Sequence, residues 1–96
     1  MRPTRCRDCR FQTLSVEPGV RCEFYMVTDE VWAAAGNPRG YLCIGCLEQR
    51  LSRRLTRADF TDATMNDLSI TDADYAWSWR TDRLRDRLTA WSPSST

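Results

Sequence analysis

Two short cysteine pairs, Cys6-Arg7-Asp8-Cys9 and Cys43-Ile44-Gly45-Cys46, are the residues of this chain whose type and spacing can do chemistry. A two-residue turn lets both sulfurs of a pair point the same way, with the turn's backbone amides placed to donate to them. Two such turns facing each other can hold four thiolates tetrahedrally around one ion, at about 2.3 Å for a zinc–sulfur bond. The chain contains no histidine, so a centre built here is all-thiolate. Four protein ligands fill the tetrahedron and leave no position for an activated water. The expected role of Cys6, Cys9, Cys43 and Cys46 is therefore to hold one structural Zn2+. Four cysteines can also carry an iron–sulfur cluster, and reduced cysteines without metal are the third option. Gly45 is expected to supply a positive φ in the second turn, and Cys46 to open a helix whose dipole steadies the sulfurs.

The missing histidine also excludes triads, Cys-His proteases and His-metal hydrolases, all of which need an imidazole. Carboxylates, cysteines and arginines remain, and no catalytic arrangement of them is visible. The adjacent acids Asp29 and Glu30 read as helix-start charge. The expectation is a binding protein and not an enzyme.

A chain of 96 residues supports one small domain, which buries only about 60–65% of its unfolded surface. A structural zinc contributes of order 10 kcal/mol, comparable with the whole stability of such a domain. The five cysteines are odd in number, unlike a disulfide scaffold, and the arginine-rich start carries no apolar run. Nothing approaches the roughly 20 apolar residues of a membrane span. A cytoplasmic location, where thiols stay reduced, is expected. Cys22 is left over and reads as a small buried hydrophobe, sharing a strand face with Val20, Phe24 and Met26.

These pairs must be positioned by surrounding elements. Residues 11–16 read as a strand, broken by Pro18-Gly19, and residues 20–27 as its returning partner in a hairpin. Thr28 is an N-cap for a helix over 28–36, stopped by Gly36-Asn37-Pro38. From Leu47 the apolar residues Leu51 and Leu55 continue one helical stripe. Thr56, with Asp59 three residues on, caps a further short turn ending at Phe60. Residues 61–78 lack periodicity and predict a long irregular segment. Thr81 caps a last helix carrying Leu84, Leu88 and Trp91, and residues 92–96 form a frayed tail.

The fold class expected is α+β: a small treble-clef-like zinc domain with one β-hairpin and about three helices. Residues 1–60 would form the four-cysteine unit, with the helix at 28–36 inserted, and residues 61–91 would pack on it. The insertion explains why 33 residues separate the pairs, against about 15–20 in a common zinc ribbon.

Net charge is only +1, yet charges come in blocks, with residues 58–79 holding Asp59, Asp62, Asp67, Asp72 and Asp74 and no base. On a helix continued from Leu47, Arg50, Arg53, Arg54 and Arg57 would share the face beside the leucines, a surface suited to phosphate. Pairing with the acidic block is the alternative. Trp77 and Trp79 are the aromatic candidates for partner contact, by packing or by stacking. A protein partner is the leading expectation and a nucleic acid the second; the oligomeric state is not legible.

Tyr25-Met26-Val27 followed by residues 29–36, Asp-Glu-Val-Trp-Ala-Ala-Ala-Gly, resembles a segment of small uncharacterised proteins from actinobacteria and their phages. Residues 42–48 with Arg50-Leu51, and Leu55-Thr56 with residues 58–60, resemble the same group, and Trp79 to Leu88 does so more loosely. The resemblance spans roughly residues 6–88. It implies a four-cysteine zinc fold in a bacterial or phage cytoplasm and brings no agreed activity.

Overall fold

The computed structural model describes residues 4–14, 19–71 and 75–89. They form a small α+β domain with one two-stranded antiparallel hairpin and three α-helices. The order is β1 (Thr4–Arg5), β2 (Gln12–Leu14), α1 (Asp29–Ala34), α2 (Ile44–Leu51) and α3 (Asp82–Thr89).

The hairpin is where the first correction falls. Residues 12–14 of the expected strand do form β2, but its partner is β1, with Thr4 opposite Leu14 and Arg5 opposite Gln12. The first cysteine pair therefore lies in the hairpin's own turn. Residues 20–27 make no continuous strand. They run as an extended rib touching three elements in succession: Glu23 N–H donates to Gln12 O, Cys22 bridges Arg80, and Val27 bridges Phe60. Alternation fails along it as well, since neighbours Cys22 and Glu23 are both buried while Met26 is 49% exposed. Cys22 is a core residue, as expected, but for a different geometric reason.

α1 forms as its caps dictate. Thr28 Oγ1 accepts from Val31 N–H, Asp29 and Glu30 occupy the first turn, and Gly36 leaves the helix at φ +92°. Such a φ is nearly free for glycine and strained for other residues. α2 stops one turn early, at Leu51, where Ser52 takes a left-handed conformation. Leu55 still reaches the core, at 1% exposure, because the chain folds back through the 3-10 turn Arg57–Asp59. A capping box of Thr56 and Asp59 starts that turn.

The core gathers Val27 and Val31 before the second cysteine pair, Ile44 within it, Leu47 and Leu55 after it, and Leu84 and Leu88 of α3. Thr81 Oγ1 accepts from Leu84 N–H and caps α3. Trp91 and residues 92–96, assigned to the end of this helix and to the tail, lie outside the described residues, as does Pro18.

The stretch from Thr61 to Thr71 is irregular but anchored. Asn66 is buried, and its side-chain amide pairs with the backbone of Met26 as a peptide would, accepting from Met26 N–H (3.0 Å) and donating to Met26 O (2.7 Å). The guanidinium of Arg80 does the corresponding work further on, donating to the carbonyls of Met65, Asp67 and Ile70. Among the described residues no helix is long and apolar enough to cross a membrane.

Candidate metal centre

The hairpin turn delivers Cys6 and Cys9, and the start of α2 delivers Cys43 and Cys46. Cys6 is held from both sides: its N–H donates to Phe11 O, its C=O accepts from Arg10 N–H, and it bridges Tyr41 in the second arm. Arg10 adopts φ +68° just after Cys9. The left-handed residue of this site is therefore in the first turn. Gly45 has an ordinary helical φ instead, which corrects the expected reason for a glycine there. A Cβ at Gly45 would lie 2.6 Å from Nη1 of Arg83, so the glycine makes room for a guanidinium.

The four sulfurs lie within 4.8 Å of one another, and Cys9 Sγ is 3.5 Å from Cys43 Sγ. Sulfurs bound tetrahedrally at about 2.3 Å would sit about 3.8 Å apart. The separations thus fit one ion and are far beyond a disulfide bond of about 2.05 Å. The donor set fits a metal with a taste for thiolate. Cys6 is fully buried and Cys43 is 3% exposed, while Cys9 lies at the surface.

Electrostatics around the sulfurs is uneven. Burial pushes the thiols of Cys43 and Cys46 up. Burial also opposes ionisation of Cys6, but backbone N–H groups of Cys43, Cys9 and Asp8 aimed at its sulfur outweigh it and bring it down to about 7. Four crowded sulfurs cannot all be thiolates without a cation among them, and a divalent ion resolves that conflict.

A layer behind the sulfurs includes two residues that the sequence reading missed. Cys43 is the N-cap of α2 and makes no capping hydrogen bond with its side chain. Glu23 supplies that bond from outside, its Oε1 accepting from Ile44 N–H at 2.8 Å. Glu23 is 1% exposed and also accepts from Thr81 Oγ1 (2.6 Å) and from Arg83 twice (2.9 and 2.7 Å). The Arg83 guanidinium lies against Gly45, and the nearby Cys43 sulfur adds to Glu23 in favouring its charged form. A cysteine sulfur, a buried carboxylate and a half-exposed guanidinium from three distant parts of the chain therefore share one corner. The signal in the sequence was a lone acid in the otherwise apolar run from Cys22 to Val27. Its partner is 60 residues away, which no local pattern could indicate.

The candidate contact residues are mostly engaged within the protein. With α2 ending at Leu51, the four arginines do not share a helix face. Arg50 makes a two-pronged pair with Asp8 and donates to Ala35 O at the end of α1. Arg53 grips Asp59 through both oxygens, and Arg57 lies 3.9 Å from Asp62. Arg54 is exposed and makes no ion pair among the described residues. Trp77 stacks on Tyr75 (centroids 5.1 Å apart), and Arg80 Cζ lies 5.3 Å from its centroid. Trp79 is half-buried beside Arg80, its C=O accepting from Cys22 N–H.

Compared with protein-family models, with curated proteins and with solved structures, the chain has no significant match in any of the three.

Proposed function

We propose that this chain is a small binding module whose fold is held by one structural Zn2+ at Cys6, Cys9, Cys43 and Cys46. The observation that carries this is the convergence of four sulfurs from two separate turns within 4.8 Å. Zinc is preferred because it suits four thiolates in a tetrahedron and fills a purely structural role there. All four positions are protein ligands, so no metal-bound water and no enzymatic role are proposed. Native mass spectrometry should find one zinc per chain, lost together with the native circular dichroism in a Cys43→Ser/Cys46→Ser variant. A metal-free chain with an unchanged spectrum would refute the proposal.

Its task, we infer, is to hold a protein partner. A groove of about 280 Å³ opens between the rib at Phe24–Val27 and the arm at Gly40–Leu42, with Trp32 at its side. Met26 and Tyr41 stand 49% and 45% exposed there, a large apolar outlay for a small domain. Asp29 lines the groove and makes no ion pair among the described residues. Apolar walls with one acid suit an extended segment bearing apolar side chains and a basic one. The resemblance to proteins of actinobacteria and their phages supports a bacterial or phage cytoplasmic setting, and with it a regulator acting on a larger machine. Met26→Asp/Tyr41→Asp should abolish capture of that partner while zinc content stays at one. The nucleic-acid alternative at Arg50, Arg53, Arg54 and Arg57 is weakened by the pairing of all but Arg54 with Asp8, Asp59 and Asp62.

A further inference from the structure

A second surface is charged and unbalanced. Arg21, Arg80 and Arg85 converge on a hollow of about 240 Å³ whose other walls include Thr71, Ser78 and Trp79. No carboxylate lines it among the described residues. None of the three arginines makes an ion pair within 4 Å among the described residues, whereas Arg50, Arg53, Arg57, Arg83 and Arg87 all do. Asp67, near enough to influence Arg80, turns its carboxylate to the N–H and hydroxyl of Ser69.

Arg80 is the unusual member. It is only 3% exposed, yet its two terminal nitrogens are answered by neutral carbonyls, and its buried Nε has no partner among the described residues. A buried cation without a counter-ion is costly unless another charge approaches it. Burial first, and Arg85 next, hold its guanidinium below the ordinary arginine value. Arg21 is locked beside it by donating Nη1 to Arg80 O at 2.8 Å. Arg85 is exposed, and no side-chain hydrogen bond holds it among the described residues. The result is two reachable guanidinium groups over a third that is fixed and, among the described residues, has no ion-pair partner.

We propose that this hollow is a phosphate-binding site, with Arg21 and Arg85 as the direct ligands and Arg80 as the fixed field behind them. Planar guanidinium forks match phosphate oxygens. The proposal does not depend on the metal identity or on the protein-binding groove. It places phosphate recognition away from the arginines after α2.

The full-length holo protein is titrated at about 50 mM salt with inorganic phosphate and, separately, with a single-stranded oligothymidylate. Phosphate binding alone assigns the site to a free or terminal phosphate. Oligothymidylate binding that phosphate competes away assigns it to a nucleic-acid backbone. Either supports the site, provided that Arg21→Ala/Arg85→Ala weakens binding about ten-fold or more and Arg85→Ala alone, which disturbs no internal hydrogen bond, weakens it in the same direction. For the oligonucleotide, the double variant should flatten the salt dependence by about 1.4 log units per decade, about 0.7 for each lost contact. Arg39→Ala/Arg54→Ala removes the same charge elsewhere and should leave affinity within about two-fold. No binding of either probe overturns the proposal, as does an equal loss in this control. Binding seen only after Asp72→Asn/Asp74→Asn would also overturn it, by showing that the chain's own acids occupy the hollow.

Discussion

Gly45 and Arg83 together decide how tightly α3 is drawn onto the metal centre. Alanine in place of a helical glycine ordinarily stabilises by about 0.5–1 kcal/mol. Here the added methyl would meet Nη1 of Arg83, which cannot slide away without loosening its two-pronged bond to the buried Glu23. Breaking a fully buried pair costs about 3–5 kcal/mol, but Arg83 is 40% exposed and partly screened, so about 2–3 kcal/mol is the better expectation. Gly45→Ala should therefore destabilise the protein. In an Arg83→Ala background the same change should stabilise it by about 0.5–1 kcal/mol. Urea unfolding of the four proteins of this cycle checks the change of sign, and a Gly45→Ala effect of the same sign in both backgrounds contradicts the account.

Among the elements, legibility followed the range of the forces involved. The caps at Thr28 and Thr81 are readable because each accepts from an amide only three residues ahead, and that at Thr56 because Asp59, three residues ahead, accepts from its own N–H. The cysteine pairs were readable because the ion they suit dictates their spacing. The hairpin was placed with the wrong partner because β propensity in residues 20–27 reports a half-buried extended chain equally well whether or not it pairs in a ladder. The arginine face failed because a left-handed Ser52 ends α2, and serine carries no strong stop signal. The described part of the stretch after Phe60 holds two 3-10 turns, Thr64–Asn66 and Ala76–Ser78, that no periodicity announces, and its anchors are invisible in sequence, since Asn66 and Arg80 act on distant backbone. That makes Asn66 testable. Asn66→Ala removes bonds to Met26 and Thr61 and leaves the Met26 N–H unanswered, while Met26 O keeps Thr61 N–H, at a cost of about 1–3 kcal/mol. Hydrogen exchange should accelerate at the Met26 amide well before it does in α2. Uniform acceleration throughout would show that the rib and the irregular stretch are not a separable unit.

At the scale of the whole molecule, the proposed zinc fold links metal, proton and fold. Cys43 and Cys46, pushed up by burial, carry their protons at pH 7 in the metal-free protein and must release them when the ion binds. Zinc uptake should therefore liberate protons, and affinity should fall as pH falls, because protons compete for the same sulfurs. Calorimetry in two buffers of different ionisation enthalpy measures that release directly. Identical heats in both buffers would count against thiol ligands. A strong chelator should remove the near-native spectrum along with the zinc.

The corner formed by Glu23, Ile44 and Arg83 also bears on how this chain can be cut or transplanted. The stretch from the first cysteine to Phe60 contains all four cysteines of the candidate centre and looks self-sufficient. Ending the chain there would strip a buried carboxylate of its one ion-pair partner among the described residues and of the Thr81 hydroxyl, while Ile44 N–H would still depend on it. The smallest portable unit therefore runs through α3. Anyone grafting this module onto another protein should keep the last helix as part of it and place the fusion joint beyond Thr89.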